Sequence, residues 1–118
     1  MARTDRILRM ARTTALTSEM KQKLGAVLVK GRRIIKAECN TPGKPKFIGS
    51  WSRHAEVRTT LNVNCMGGTV YIYREHGTLK SPLLARPCRH CIEWLQFVGI
   101  KEIVYTIPEY PYYMMESI

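Results

Sequence analysis

Acidic residues are scarce in this chain: nine Asp and Glu stand against nineteen Lys and Arg, a formal net charge of +10 over 118 residues. The shortage is local. Residues 1–58 hold fourteen basic side chains against Asp5, Glu19, Glu38 and Glu56, whereas residues 59–118 hold five of each sign. Such an excess speaks for an anionic ligand or partner, either nucleotide phosphate or a nucleic-acid backbone, or else for solvated faces that keep the protein in solution. Long apolar runs are also missing, which excludes a membrane span, and the first residues lack the apolar stretch of a signal peptide. Cysteines number only four, two of them at metal-ligand spacing. With no export signal, the expectation is a reducing cytoplasm rather than a disulfide framework. Cys39 and Cys65 then read as ordinary small thiols, buried or half-buried. No repeat or low-complexity linker interrupts the chain, and its length is too short for two domains of ordinary size, so one domain over residues 1–118 is expected.

What is present alternates between helical and extended patterns. Residues 3–16 carry Ile7, Leu8, Ala11, Ala15 and Leu16 as an apolar stripe, with Arg3, Arg6, Arg9 and Arg12 spaced by threes, and predict a first helix. Residues 25–30 and 33–39 flank Gly31-Arg32 and predict a β-hairpin. Residues 41–53, with two prolines and two glycines, read as a loop. A second helix is expected from His54 to about Val63, and a strand from Thr69 to Arg74. After a loop to Arg86, Pro87 suits the first position of a third helix that runs to about Val98, with Gly99 just past its end. Residues 100–107 supply a fourth strand. The tail, about 108–118, reads as irregular.

Two short motifs carry the chemistry. His54-Ala55-Glu56 and Pro87-Cys88-Arg89-His90-Cys91 supply three zinc ligands, His54, Cys88 and Cys91, and one carboxylate that need not be a ligand. Three protein ligands leave a fourth position for water, the catalytic rather than the closed structural arrangement, and zinc brings the pKa of that water toward neutrality. Glu56 is then placed to shuttle protons. Each motif alone is weak: a His-x-Glu pair often sits on a solvated face, and Cys-x-x-Cys also serves redox and structural sites. Together, each at an expected helix start, they are far more specific. Cys88 and Cys91 lie three apart, so both sulfurs can face one point, where a helix N-terminus favours the thiolates. A closed site would need a fourth ligand. His90, next to Cys91, points elsewhere on the helix, and His76 reads as a surface residue.

In these residues the chain resembles the cytidine deaminase superfamily, most nearly its deoxycytidylate deaminase type. The combination H-x-E…P-C-x-x-C is a signature of zinc-dependent nucleobase deaminases. Gly25-Ala26-Val27-Leu28-Val29, Asn40 and Gly99-Ile100-x-x-Ile103-Val104-Tyr105 add to it in the expected order, so that it spans about residues 7–107. The resemblance implies an α/β fold, a three-layer α/β/α sandwich on a mixed sheet of four strands, or five if the tail supplies one. It implies hydrolytic release of ammonia from a cytosine ring, with zinc on His54, Cys88 and Cys91 and proton transfer by Glu56. It further implies that the Ala55 backbone contacts the ring carbonyl and that Asn40 bonds the sugar, unless Asn40 is a plain turn residue.

Substrate identity is the less constrained part. A free-nucleotide enzyme needs a few cations aimed at one phosphate, and Lys44, Lys46, Arg53 and Arg86 lie in loops flanking the motifs. A polynucleotide enzyme needs a longer basic track with stacking platforms, for which Trp51 is a candidate if it is not a core or rim residue. The small size favours a mononucleotide, dCMP converted to dUMP. Deamination of cytosine, or less readily adenine, in single-stranded DNA or RNA is the alternative, and a non-catalytic zinc module that binds nucleic acid is a third reading that leaves Glu56 without a task. The Tyr- and Met-rich tail could cap the sheet edge, cover the site or join subunits; a homo-oligomer contact is the favoured expectation.

Overall fold

The computed structural model describes residues 3–41, 54–76, 78 and 82–118. Helix α1 (Arg3–Ala15) buries Ile7, Leu8, Ala11 and Ala15 on one side. Strands β1 (Gln22–Lys30) and β2 (Arg33–Cys39) form the expected antiparallel hairpin, with a register shift between Leu28 and Val29. Strand β3 (Thr69–His76) pairs antiparallel with β1, and β4 (Glu102–Thr106) runs parallel to β3. Between them lies helix α3 (Arg89–Phe97), the crossover that a parallel pair requires. Short α2 (Ala55–Arg58) precedes β3, and β5 (Tyr113–Ser117) closes the sheet in the order β2-β1-β3-β4-β5.

The three layers follow from strand alternation. Ala26, Leu28, Val70, Ile72, Ile103 and Tyr105 point to one face and pack with Ala55 and Leu95 of α2 and α3. Val27, Val29, Tyr71, Tyr73 and Val104 point to the other and pack with the apolar stripe of α1. Helix α1 lies very close to the sheet at Gly25, where an added Cβ would fall 2.2 Å from the Ala11 carbonyl oxygen. The charged residues of β1 and β3 sit at the strand ends, so the middle of the sheet is apolar on both faces.

Strands β1, β3 and β4 differ from the sequence expectation by a few residues at their ends, and the larger departures concern α2, the start of α3 and the tail. Helix α2 is a single turn rather than a helix to Val63. The Thr59 and Thr60 hydroxyls bond back to the Glu56 and Val57 carbonyl oxygens at 2.9 and 2.8 Å, and Asn62 adopts φ +60, which turns the chain away. Helix α3 starts two residues later than Pro87, with Cys88 as its N-cap. It ends as expected, at Gly99 with φ +94, a conformation that glycine adopts without strain. The tail is not irregular: β5 pairs with β4 from Thr106↔Tyr113 to Glu102↔Ser117, a hairpin with no helix before it. Pro108, Pro111 and the half-exposed side chains of β5 hide this strand from pattern reading, because its pairing with β4, rather than an apolar face of its own, specifies it.

Candidate functional site

The site lies at the end of the sheet where β1 begins and β3 finishes, beside the starts of α2 and α3. Open α/β sheets generally place ligands in such a crevice. His54 is the N-cap of α2 and Cys88 the N-cap of α3, both in extended backbone conformation; Glu56 and Cys91 follow within the first turns. Side contacts hold the two starts together. Trp94 Nε1 donates to Thr60 Oγ1 at 2.8 Å, joining α3 to the turn after α2. Arg58 forms an ion pair with Glu38 of β2 at 3.1 Å, which fixes α2 over the sheet.

This packing brings His54, Cys88 and Cys91 together, their ligand atoms all within 4.8 Å of one another. His54 Nδ1 and Cys91 Sγ are 3.1 Å apart. Cys91 is buried, His54 half-buried and Cys88 exposed. One imidazole and two thiols are three zinc donors among the described residues, one fewer than the closed four-ligand set of a structural site. Burial, and after it the Glu56 carboxylate, push the Cys91 thiol well above its ordinary pKa. The helix start therefore does not by itself supply the Cys91 thiolate expected from sequence; a cation between the ligands would. Cys39 and Cys65 are free thiols, one half-buried and one buried, as expected.

Glu56 is 3% exposed, and its Oε1 has no hydrogen-bond partner among the described residues. Burial pushes its carboxyl up to about 7. A buried acid left unpaired is costly, and near neutrality it can both accept and give up a proton. It borders a cavity of about 230 Å³ together with Asn40, His54, Arg74, Arg86 and Cys88. The Asn40 carboxamide bonds to the edge of β1, accepting from Leu24 N and donating to Gln22 O, each at 3.0 Å. It thus does the work of a turn residue while facing the cavity. Ala55 is fully buried at the first position of α2.

Among the cations, the structure separates Arg86 from Arg74. Arg86 makes a two-pronged pair with Glu116 of β5, Nε to Oε2 at 2.7 Å and Nη2 to Oε1 at 3.2 Å. Arg74 donates to the Leu84 carbonyl at 3.1 Å and to the Gln22 side-chain amide, both neutral partners. Arg74 was not singled out in the sequence, although a signal was there. It continues the parity of Val70 and Ile72, so a charged side chain ends an otherwise apolar row on the face that carries α2 and α3. His90 is exposed on α3 and outside the ligand group. Lys44, Lys46, Trp51 and Arg53 lie outside the described residues.

Residues 1–107 match the profile of the cytidine and deoxycytidylate deaminase zinc-binding region. The chain belongs to this family. Its zinc-binding region accounts for the ligand group, and zinc is the cofactor that His54, Cys88 and Cys91 could hold. Among solved structures, the chain is similar to the dCMP deaminase of the cyanophage S-TIM5 in its apo form, with a TM-score of 0.65 and 18% identity over 91% of this chain and 86% of that one. The same phage enzyme in complex with dCMP and dUMP gives 0.65 and 17%, over 91% and 84%. RibD of Acinetobacter baumannii gives 0.52 and 20% identity, over 88% of this chain but 27% of that one. At these identities the likeness concerns the fold, a deaminase-type α/β fold. No curated protein sequence matches the chain significantly.

Proposed function

We propose that this member of the family deaminates the cytosine ring of a free nucleotide, converting dCMP to dUMP and ammonia. The observation that carries the reading is the buried Glu56 carboxyl, its Oε1 without a hydrogen-bond partner among the described residues, beside the His54–Cys88–Cys91 group at the wall of one cavity. A bound zinc supplies a Lewis acid that makes water nucleophilic at neutral pH. Glu56 Oε1 takes the proton that this water loses as it adds to C4 of the ring, hands it to N3, and then moves a proton to the departing amine. Water enters and ammonia leaves, so atoms and charge balance. The Ala55 backbone meets the ring carbonyl and Asn40 holds the sugar.

Size and charge support a mononucleotide. A cavity of about 230 Å³ falls below the roughly 300–1,000 Å³ typical of drug-sized ligands. It suits one pyrimidine ring, with sugar and phosphate left at the mouth. There Arg74, whose partners are neutral, is the cation available to a phosphate among the described lining residues, whereas Arg86 is engaged by Glu116. The dCMP and dUMP bound by the phage enzyme of the same fold agree with this choice.

The test is ammonia release from dCMP, CMP, deoxycytidine and oligonucleotides, with bound zinc measured in parallel. Glu56→Gln is expected to keep zinc and to lose about 10²–10⁴-fold in kcat. Cys88→Ala is expected to lose both metal and turnover. Near-normal turnover by Glu56→Gln, or zinc without ammonia from any of these compounds, would overturn the proposal.

A further inference from the structure

A second basic region lies on the opposite face of the sheet. The β1–β2 hairpin, at the end of β1 away from the site, places Arg32 beside Arg3 and Arg6 of α1, and these three arginines line one cleft. Arg3 Nη2 donates to the Gly31 carbonyl at 2.8 Å, which ties the start of α1 to that hairpin. Arg6, Arg9 and Arg32 enter no ion pair among the described residues. Five of the fourteen basic residues of the first half of the chain, Arg3, Arg6, Arg9, Arg12 and Arg32, thus belong to α1 and the hairpin beside it.

The spacing by threes gives that surface a direction. Each step of three residues turns a helix back by about 60°, so Arg3 and Arg12 lie about half a turn apart and about 14 Å along the axis. The exposed row Arg3, Arg6, Arg9, Arg12 thus crosses the solvent face of α1 diagonally. It starts at the arginine cleft and ends at a cavity of about 330 Å³ where Arg9 and Arg12 meet Tyr73, Tyr112 and Tyr113. Asp5 also borders this cavity, and Arg12 is already paired with the buried Glu75 at 2.9 Å. Tyr112 is 49% exposed and Tyr110, in edge contact with it at 5.9 Å, is 84% exposed.

We infer that this face of α1, with the turn before β5, binds single-stranded nucleic acid. Cations that track a backbone, leading into exposed aromatic rings that stack on bases, are the two components such binding requires. A lone phosphate would need neither the length of the row nor the tyrosines. The surface lies across the sheet from the catalytic cavity, so the inference does not depend on the substrate assigned there.

The experiment titrates the zinc-loaded protein into a fluorescein-labelled oligothymidylate, which offers no cytosine to the catalytic cavity, and follows anisotropy over a range of salt. Binding is expected to weaken with salt by about 0.7 log units per log unit for each phosphate neutralised. Arg6→Glu/Arg9→Glu should weaken it about tenfold or more and flatten the slope by about 1.4. Arg6→Gln/Arg9→Gln should act in the same direction, and Tyr112→Ala should cost about fivefold or more. All these positions are exposed, and dCMP turnover should stay unchanged in each variant. Saturating dCMP should leave the oligonucleotide bound. No binding by the wild-type chain at low salt, an unchanged slope in both arginine double variants, or displacement by dCMP would each overturn the inference.

Discussion

At the scale of single residues, the same side-chain type takes different tasks according to its partner. Arg74 and Arg86 both border the cavity beside Glu56, but only Arg86 has a carboxylate in its fork. A charge-assisted bond to a substrate phosphate contributes about 1.5–3 kcal/mol, or about 10–150-fold. Arg74→Gln should therefore raise KM for dCMP by about that factor and leave the turnover of deoxycytidine, which has no phosphate, nearly unchanged. Steady-state kinetics on the two substrates decide it, and an equal loss on both would assign Arg74 a purely structural part. The ligands and Glu56 were legible in the sequence because their chemistry is bound to fixed spacings. Arg74 was not singled out, because strand parity gives its face of the sheet but not whether that end of the face meets solvent or a cavity.

At the scale of elements, contacts that do not follow pattern decide what the sequence left open. The hairpin, α1, β3, β4 and the end of α3 were readable from periodicity, whereas the one-turn α2 and the strand β5 were not. Strand β5 is fastened to β4 by Glu116, which accepts from Tyr105 Oη at 2.6 Å and from Arg86. The Arg86 and Tyr105 bonds hold the Glu116 carboxyl below its ordinary value. A lowered carboxyl stabilises the folded chain fully above the ordinary value of 4.5, and this contribution is lost as pH falls through the lower folded value. Protection of the β5 amides, measured as exchange relative to the intrinsic rate at each pH, should thus fall below about pH 4.5 in the wild type, and less so in Glu116→Gln. Equal acid sensitivity in both would remove this anchor from the account. On the other face, Gly25→Ala must push α1 off the sheet, because the new methyl group meets the Ala11 and Ala15 backbone. A loss of about 1–3 kcal/mol, read from denaturant unfolding, is expected, with the ligand group intact.

At the scale of the whole molecule, the sheet separates two regions of unlike charge logic. One face carries α1, with an arginine row that the strand-binding inference uses. The other carries α2 and α3, where Glu56 and Cys91 are buried and Glu56 Oε1 has no hydrogen-bond partner among the described residues. A metal there would join the starts of two helices that lie more than thirty residues apart in sequence, and would compensate both buried groups. Stability should then depend on it: a ligand bound to the folded state alone adds about 2.7 kcal/mol at a hundredfold excess over Kd. For a chain of this length that corresponds to about 10 °C in Tm. The effect should also grow with pH. Without the ion, Cys91 stays protonated because burial and Glu56 raise its pKa, so zinc must displace that proton to bind. Calorimetric scans with and without chelator should therefore show the gap in Tm widening as pH rises from 6 to 8, while Cys91→Ser should show little gap at any pH. A gap independent of pH would mean that the Cys91 thiol is already ionised before the metal arrives, against the burial that surrounds it.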